Sequence, residues 1–202
     1  MSGADSNDAR HRVLDAAEPL FATKGFDSVT LRDIAASIGL THAALYYHFP
    51  GGKEELFAEV MERNIRRHGE GLSAAILAGA PSLRGKLRGA AGWFLSQPPM
   101  DLIRMANTDL AALDPEAAGR ITGLVYELIL KRLQTVIEES RESGEVGPCD
   151  PGLLAGGLVG LIESLHSVPV HIVRRERYAM ACELIDVILK GIDYEETDYV
   201  GS

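Results

Sequence analysis

Apolar residues recur at three- and four-residue intervals along most of this chain, and no stretch alternates with a period of two. The pattern predicts an all-α protein of about nine helices. Helix 1 is expected over residues 9–24, behind a mobile tail of residues 1–7 and an N-cap at Asp8. Its Val13, Ala16, Ala17, Leu20 and Phe21 share one face, and Gly25 supplies the stop. Pro19 has no donor for the carbonyl of Asp15, so a bend, or a helix in two parts, is expected there. Helix 2 starts at the N-cap Thr30, with Asp33 three residues later in a capping box, and buries Ile34, Ala35 and Ile38. Gly39 ends it, expected with φ > 0. Helix 3 runs from the cap Thr41 to about His48 on the anchors Ala44 and Leu45. Small Ala35 lets helices 2 and 3 approach, and Phe49 closes the bottom of the unit.

The C-terminal part continues in the same period. Leu56, Phe57, Val60, Met61 and Ile65 form the stripe of helix 4, which starts near Lys53 and is expected to bend or end at Gly69 and Gly71. Helix 5 spans 82–96 and stops at Gln97-Pro98-Pro99; helix 6 spans 100–113. Asp114-Pro115 opens helix 7, which runs to about 143, and Asp150-Pro151 opens helix 8, which runs to about 168. Helix 9 covers 174–190 with Gly191 as its stop, and residues 193–202 form an acidic, frayed tail. The domains expected are residues 1–52, a three-helix reader, and residues 53–202, a larger bundle.

Composition narrows the function. No apolar run is long enough to span a bilayer, since residues 153–162 contain three glycines, and the polar N-terminus has no h-region. No membrane role is expected, and a cytoplasmic location is the default. Two cysteines make neither a disulfide framework nor a metal cluster. No nucleophile elbow, phosphate-cradling loop, dinucleotide fingerprint or His-Glu-x-x-His occurs, so neither an enzyme nor a cofactor is expected. Glu163-x-x-His166 is half of a di-iron pattern, but no second Glu-x-x-His exists, and His171 lies beyond Pro169; no metal is expected. The net charge is −9, yet residues 1–53 hold five Lys/Arg and six Asp/Glu, a net of −1; the acidity sits mostly downstream.

Helix 3 carries the chemistry. His42, Ala43, Tyr46, Tyr47 and His48 are left for its outward faces. Phenol and imidazole groups donate to phosphate oxygens, and Ala methyls or aromatic edges meet thymine methyls, so the face suits a DNA major groove. Packing on helix 1 or helix 4 accounts for one tyrosine of the pair more readily than for both.

The stretch GFDSVTLRDIAASIGLTHAALYYHFPGGKEELF resembles the DNA-binding segment of the TetR family of transcriptional regulators. The resemblance covers roughly residues 10–60 and rests on Gly25-Phe26, Thr30, Ile34-Ala35, Gly39, Leu45-Tyr46, His48-Phe49 and Lys53. It implies that Thr30, Arg32, Thr41, His42, Ala43, Tyr46, Tyr47, His48 and Lys53 form the DNA-binding set. One departure is Pro50-Gly51-Gly52 before Lys53, where many members have two residues; some members of the multidrug-sensing branch carry a similar Pro-Gly-Gly-Lys.

The resemblance further implies a double-stranded, palindromic operator, a homodimer and a small-molecule inducer that releases the protein from DNA, most commonly as a repressor. Gly152, Gly156 and Gly160 stripe helix 8, where each glycine costs roughly 1 kcal/mol relative to alanine. The stripe suggests close approach of another backbone, from helix 9, helix 7 or a second protomer. Helix 9 is apolar on more than one face. A four-helix bundle from helices 8 and 9 of two chains answers both features; a monomer with helix 9 buried in its own core is the alternative. Apolar and polar side chains mix in helices 5–8, and Trp93, Met105, Asn107, Tyr126 and His166 are expected to border the ligand pocket. The competing function is a helical small-molecule-binding or protein-interaction module that does not bind DNA.

Overall fold

The structure is a computed structural model that describes residues 3–99, 102–169 and 175–192. Nine helices and no strand occur among the described residues. They are α1 (Gly3–Lys24), α2 (Leu31–Ser37), α3 (His42–His48), α4 (Gly52–Ala78), α5 (Leu83–Ser96), α6 (102–112), α7 (115–142), α8 (Pro151–Ser164, prolonged by the 3₁₀ turn Leu165–Ser167) and α9 (Arg177–Ile192). Two helices contain a wide π turn, α6 at Met105–Asp109 and α7 at Tyr126–Leu130.

By compactness the chain divides into two units, residues 1–67 with 100–125, and residues 68–99 with 126–202. The dividing line passes through α4 and α7. In the first unit α1 contributes Val13, Leu14, Ala17 and Phe21 to a core completed by Ile34, Leu45, Phe49, Leu56, Phe57 and Ile121. Phe57 meets Phe21 and Phe26 edge-on, with ring centroids 5.0 and 5.1 Å away. In the second unit α5 packs on α9 and α7 on α8. Leu87, Phe94, Leu133, Ile137, Val159 and Ile185 are buried there.

Several boundaries differ from expectation. Residues 3–8 are helical, so Asp8 lies inside α1 and caps nothing. Gly, Asp, Ser and Asn in that stretch are weak helix formers, but propagation from a docked helix is far easier than nucleation. Pro19 neither divides α1 nor ends it. It is exposed, as is Asp15, so the carbonyl it orphans is left to solvent. Helix α4 continues unbroken past Gly69 and Gly71. Their missing side chains make room for neighbours instead: a Cβ on Gly69 would lie 2.8 Å from Leu128 Cβ, and one on Gly71 would lie 2.0 Å from the Trp93 ring. Helix α9 starts at Arg177 and runs through Gly191 to Ile192. Met100, His171, Arg174 and the tail 193–202 lie outside the described residues.

Close backbone approach occurs on α5 and not on α8. A Cβ on Gly89 would lie 2.4 Å from the carbonyl oxygen of Ala75, and one on Gly85 would lie 2.7 Å from that of Ala80. By contrast, a Cβ on Gly156, Gly157 or Gly160 would meet nothing within 4 Å.

Gly71→Ala therefore forces the sole tryptophan off α4. We expect a loss of about 1–3 kcal/mol of unfolding free energy in urea and a shifted Trp93 emission maximum.

Candidate nucleic-acid interface

Two seven-residue helices form the candidate interface, and their ends are fixed by local chemistry. Thr30 Oγ1 accepts the backbone N–H of Asp33 at 3.2 Å, while the Asp33 carboxylate accepts the N–H and hydroxyl of Thr30. Hydrogen bonds from Thr30 hold the Asp33 carboxyl below its ordinary pKa. Helix α2 ends in a Schellman turn: Leu40 N–H donates to Ala35 O at 2.9 Å and Gly39 N–H to Ala36 O at 3.4 Å, with Gly39 at φ 68°. Thr41 then caps α3 by accepting the N–H of Ala44 at 3.2 Å.

Behind α3, Leu45 and Phe49 are completely buried. In front, Thr41, His42, Ala43, Tyr46 and Tyr47 are exposed and His48 is half-buried. Tyr47 is 75% exposed and Tyr46 44%, so neither tyrosine is a core residue. His42 stands edge-on to Tyr46 at 5.0 Å, and Tyr47 edge-on to His48 at 5.3 Å. Thr30 and Arg32 are also exposed. The arrangement offers hydroxyl and imidazole donors on a rigid, nearly uncharged ridge.

Lys53 is placed differently from the rest of the predicted set. Its Nζ donates to Phe26 O at 3.1 Å and lies 4.1 Å from the Phe26 ring centroid. The Pro-Gly-Gly stretch allows this: Gly52 takes φ 71° and donates to Phe49 O at 2.9 Å, closing a tight turn immediately before α4. Arg10 is a second cation held by the fold. It pairs with Glu55 and Glu59, donates to the carbonyl of His48 and lies 4.2 Å from the Phe49 ring centroid. Arg12, Lys24 and Arg32 are the exposed cations of this region.

Of the residues expected around a ligand, Met105 and Asn107 belong to the first unit, Met105 buried and Asn107 exposed. In the second, Trp93 lies across Gly71, edge-on to the fully buried His68 at 6.2 Å. His166 Nε2–H donates to Phe94 O at 3.3 Å, and Tyr126 is exposed. Burial lowers the His166 pKa, the nearby Arg177 cation adds to this, and the bond to Phe94 opposes it. A separate groove of about 500 Å³ is lined by residues including Ser73, Ile76, Lys86, Arg132 and Val136, and none of the five lines it. No cluster able to hold a metal ion occurs among the described residues.

A family model for "Bacterial regulatory proteins, tetR family" matches residues 13–60, the segment that builds this interface. The HTH-type transcriptional repressor AcnR of Corynebacterium jeikeium (strain K411) is 26% identical over 147 residues, 72% of each chain. Residues 13–60 of this chain thus match the DNA-binding segment of the TetR family. The HTH-type transcriptional regulator LmrA of Bacillus subtilis (strain 168) is 43% identical over 54 residues, 27% of this chain and only 29% of LmrA. Among solved structures, a bacterial regulatory protein in the tetR family from Rhodococcus RHA1 has a similar fold, with a TM-score of 0.75 at 22% identity over 93% of this chain and 98% of that one. AibR in complex with isovaleryl coenzyme A and operator DNA gives 0.74 at 19% identity, over 89% and 97%.

The anchoring residues around this TetR-like segment have no signature in the local sequence. Arg10 was visible only through its partners, the i,i+4 pair Glu55 and Glu59 on the first turns of α4. Glu18 is held by Arg63, Asn64 and Arg67; burial raises its pKa, but these hydrogen bonds outweigh that and hold it below its ordinary value. No local pattern announces such long-range pairs.

Two outcomes follow from these placements. Lys53→Met keeps the apolar stem and removes the bond to Phe26; it is expected to lower stability by about 1 kcal/mol in urea unfolding followed by circular dichroism. Burial lowers the His166 pKa in the fold, so its contribution is full above its ordinary pKa of 6.5 and is lost as pH falls below that value and through the lower pKa of the folded state. Stability should decline as pH falls below about 6.5, and His166→Gln should flatten that decline in urea midpoints measured across the range.

Proposed function

We propose that this chain is a ligand-responsive transcriptional repressor, acting in the cytoplasm, that binds a palindromic operator as a homodimer and is released by a small molecule. The carrying observation is the outward ridge of α3, where Tyr47 is 75% exposed on a helix capped at its start by Thr41. A tyrosine so exposed has no packing role, and a seven-residue helix so fixed presents it in one geometry. Arg32, Thr41, His42, Ala43, Tyr46, Tyr47 and His48 form the proposed contact set, with Thr30 holding the start of α2. Lys53 belongs to the expected set as well, and without DNA its Nζ donates to Phe26 O. Arg32, Arg12 and Lys24 are exposed cations that would displace counterions. The relatives' names as regulators and repressors support a binding protein over an enzyme.

The homodimer rests on α8 and α9. Nothing among the described residues lies within 4 Å of a Cβ on Gly156 or Gly160, so neither α7 nor α9 of the same chain fills those two positions of the stripe; at Gly152 a Cβ would lie 3.4 Å from Asp150 Oδ1 and 4.0 Å from Gln134 of α7. Leu153, Leu161 and Val187 are exposed at 77%, 41% and 61% on the same two helices. A second protomer would cover them and set the spacing of two α3 ridges on DNA.

For the ligand, Trp93, Tyr126 and His166 are the proposed contacts. The Trp93 Nε1 donor is buried and has no hydrogen-bond partner among the described residues, an arrangement that a ligand acceptor would satisfy. AibR, whose structure holds isovaleryl coenzyme A and operator DNA together, is a precedent for both kinds of partner on this fold. Ligand and DNA then oppose each other reciprocally.

Fluorescence anisotropy with duplexes from the upstream region of its own gene tests the reading. Wild-type protein should bind, with log K falling linearly in log[salt]. Tyr47→Ala should weaken binding about tenfold or more with an unchanged melting temperature and dimer. Gly156→Glu should sediment as a monomer. Salt-independent binding, or none to any fragment, overturns the regulator and leaves the DNA-free module.

A further inference from the structure

We propose that Asp109 on α6 is a positioning residue for DNA reading, acting through the peptide group of Phe26. The inference rests on the DNA-reading function above and adds a residue to it that lies outside α1–α4.

Asp109 is almost completely buried. One carboxylate oxygen accepts the backbone N–H of Phe26 at 3.0 Å, and the other accepts Arg104 Nε–H at 3.3 Å. Arg104 Nη2 donates in addition to the carbonyls of Phe21 and Ala22, each at 3.2 Å. These two carbonyls belong to the last turn of α1, where helical partners run out. The carbonyl of the same residue is held by Lys53 of α4, whose Nζ donates to Phe26 O, an oxygen that Val29 N–H also approaches at 3.4 Å. Side chains of α6 and α4 thus hold the N–H and the C=O of one residue, Phe26, in the turn that leads to Thr30, the cap of α2. Gly25, at φ 76°, leaves no slack beside it: a Cβ there would lie 3.4 Å from Asp109 Oδ1 and 3.6 Å from Arg104 Nε.

The π turn at Met105–Asp109 makes the grip possible. Residues five apart in a regular α-helix point about 140° away from each other. The wider i→i+5 turn brings them back to nearly the same side, so Arg104 and Asp109 reach the same loop. The structure commits these contacts to the end of α1 and the turn before α2. A buried carboxylate is stable there only with its cation and its N–H donor in place, so any shift of α6 that separates them is felt at Phe26.

Asp109→Leu removes both acceptors with a similar shape, and Asp109→Asn keeps an acceptor for Phe26 while losing the charge that holds Arg104. Full-length dimers are compared for affinity to the operator and to unrelated duplex, with hydrogen exchange at the amides of Phe26 and α2. The expected result is a fall of tenfold or more in the ratio of specific to non-specific affinity for Leu, a smaller fall for Asn, and faster exchange at Phe26 in both. Non-specific affinity is set by phosphate contacts and should stay constant; a merely structural role, acting through the folded fraction, would lower both affinities alike. Unchanged affinity ratio and unchanged exchange in a folded variant overturn the proposal. If the Leu variant fails to fold, the Asn variant decides by the same two readings. If wild-type protein binds no duplex, the operator reading falls by itself, and exchange across Phe26 and α2 decides whether Asp109 positions them.

Discussion

Short helices have few backbone bonds of their own, and the DNA-reading unit is governed by that shortage. A helix leaves its first four N–H groups and last four carbonyls without internal partners, so in the seven residues of α2 or α3 most polar backbone groups look elsewhere. Thr30 and Thr41 answer the N-termini, and the Schellman turn at Gly39 answers the C-terminus of α2. Cations from distant segments add further bonds around these ends: Arg10 to the carbonyl of His48 in α3, Arg104 to those of Phe21 and Ala22 in the last turn of α1, and Lys53 to that of Phe26 in the loop between α1 and α2.

That use of cations accounts for the weak charge signature of the proposed DNA-reading face. Arg10 and Lys53 are spent on the interior, and α3 itself carries hydroxyl, phenol and imidazole groups in place of lysine and arginine. Such a surface depends on accurate placement, because it has little long-range attraction to compensate for a misaligned helix. The buried pair Arg104–Asp109 and the three-phenylalanine contact of Phe21, Phe26 and Phe57 supply rigidity where it is needed.

The second unit solves a different problem, that of bringing helices close. Gly89 lets α5 reach the backbone of α4, Gly85 makes room for Ala80 in the loop between them, and Gly71 seats Trp93. The glycines of α8 look equivalent in sequence and behave oppositely, with open space over them. A glycine reports that a side chain is missing; only the neighbouring element says whether its place has been taken.

Helix positions, the two threonine caps, the positive φ of Gly39 and the exposure of Tyr46 and Tyr47 were legible from residues 30–49, because caps, turns and amphipathic faces involve residues within four or five positions of one another. The fates of Lys53, Arg10, Asp109 and Trp93 were not. Each is decided by a partner from another helix, and a long side chain such as lysine can serve a phosphate or a carbonyl equally well until the fold brings one of them within reach. Sequence alone therefore determined the helices and the face that α3 turns outward. Tertiary structure decided which charges are left for DNA and which glycines are filled, since both depend on what lies across a gap that no local pattern encodes.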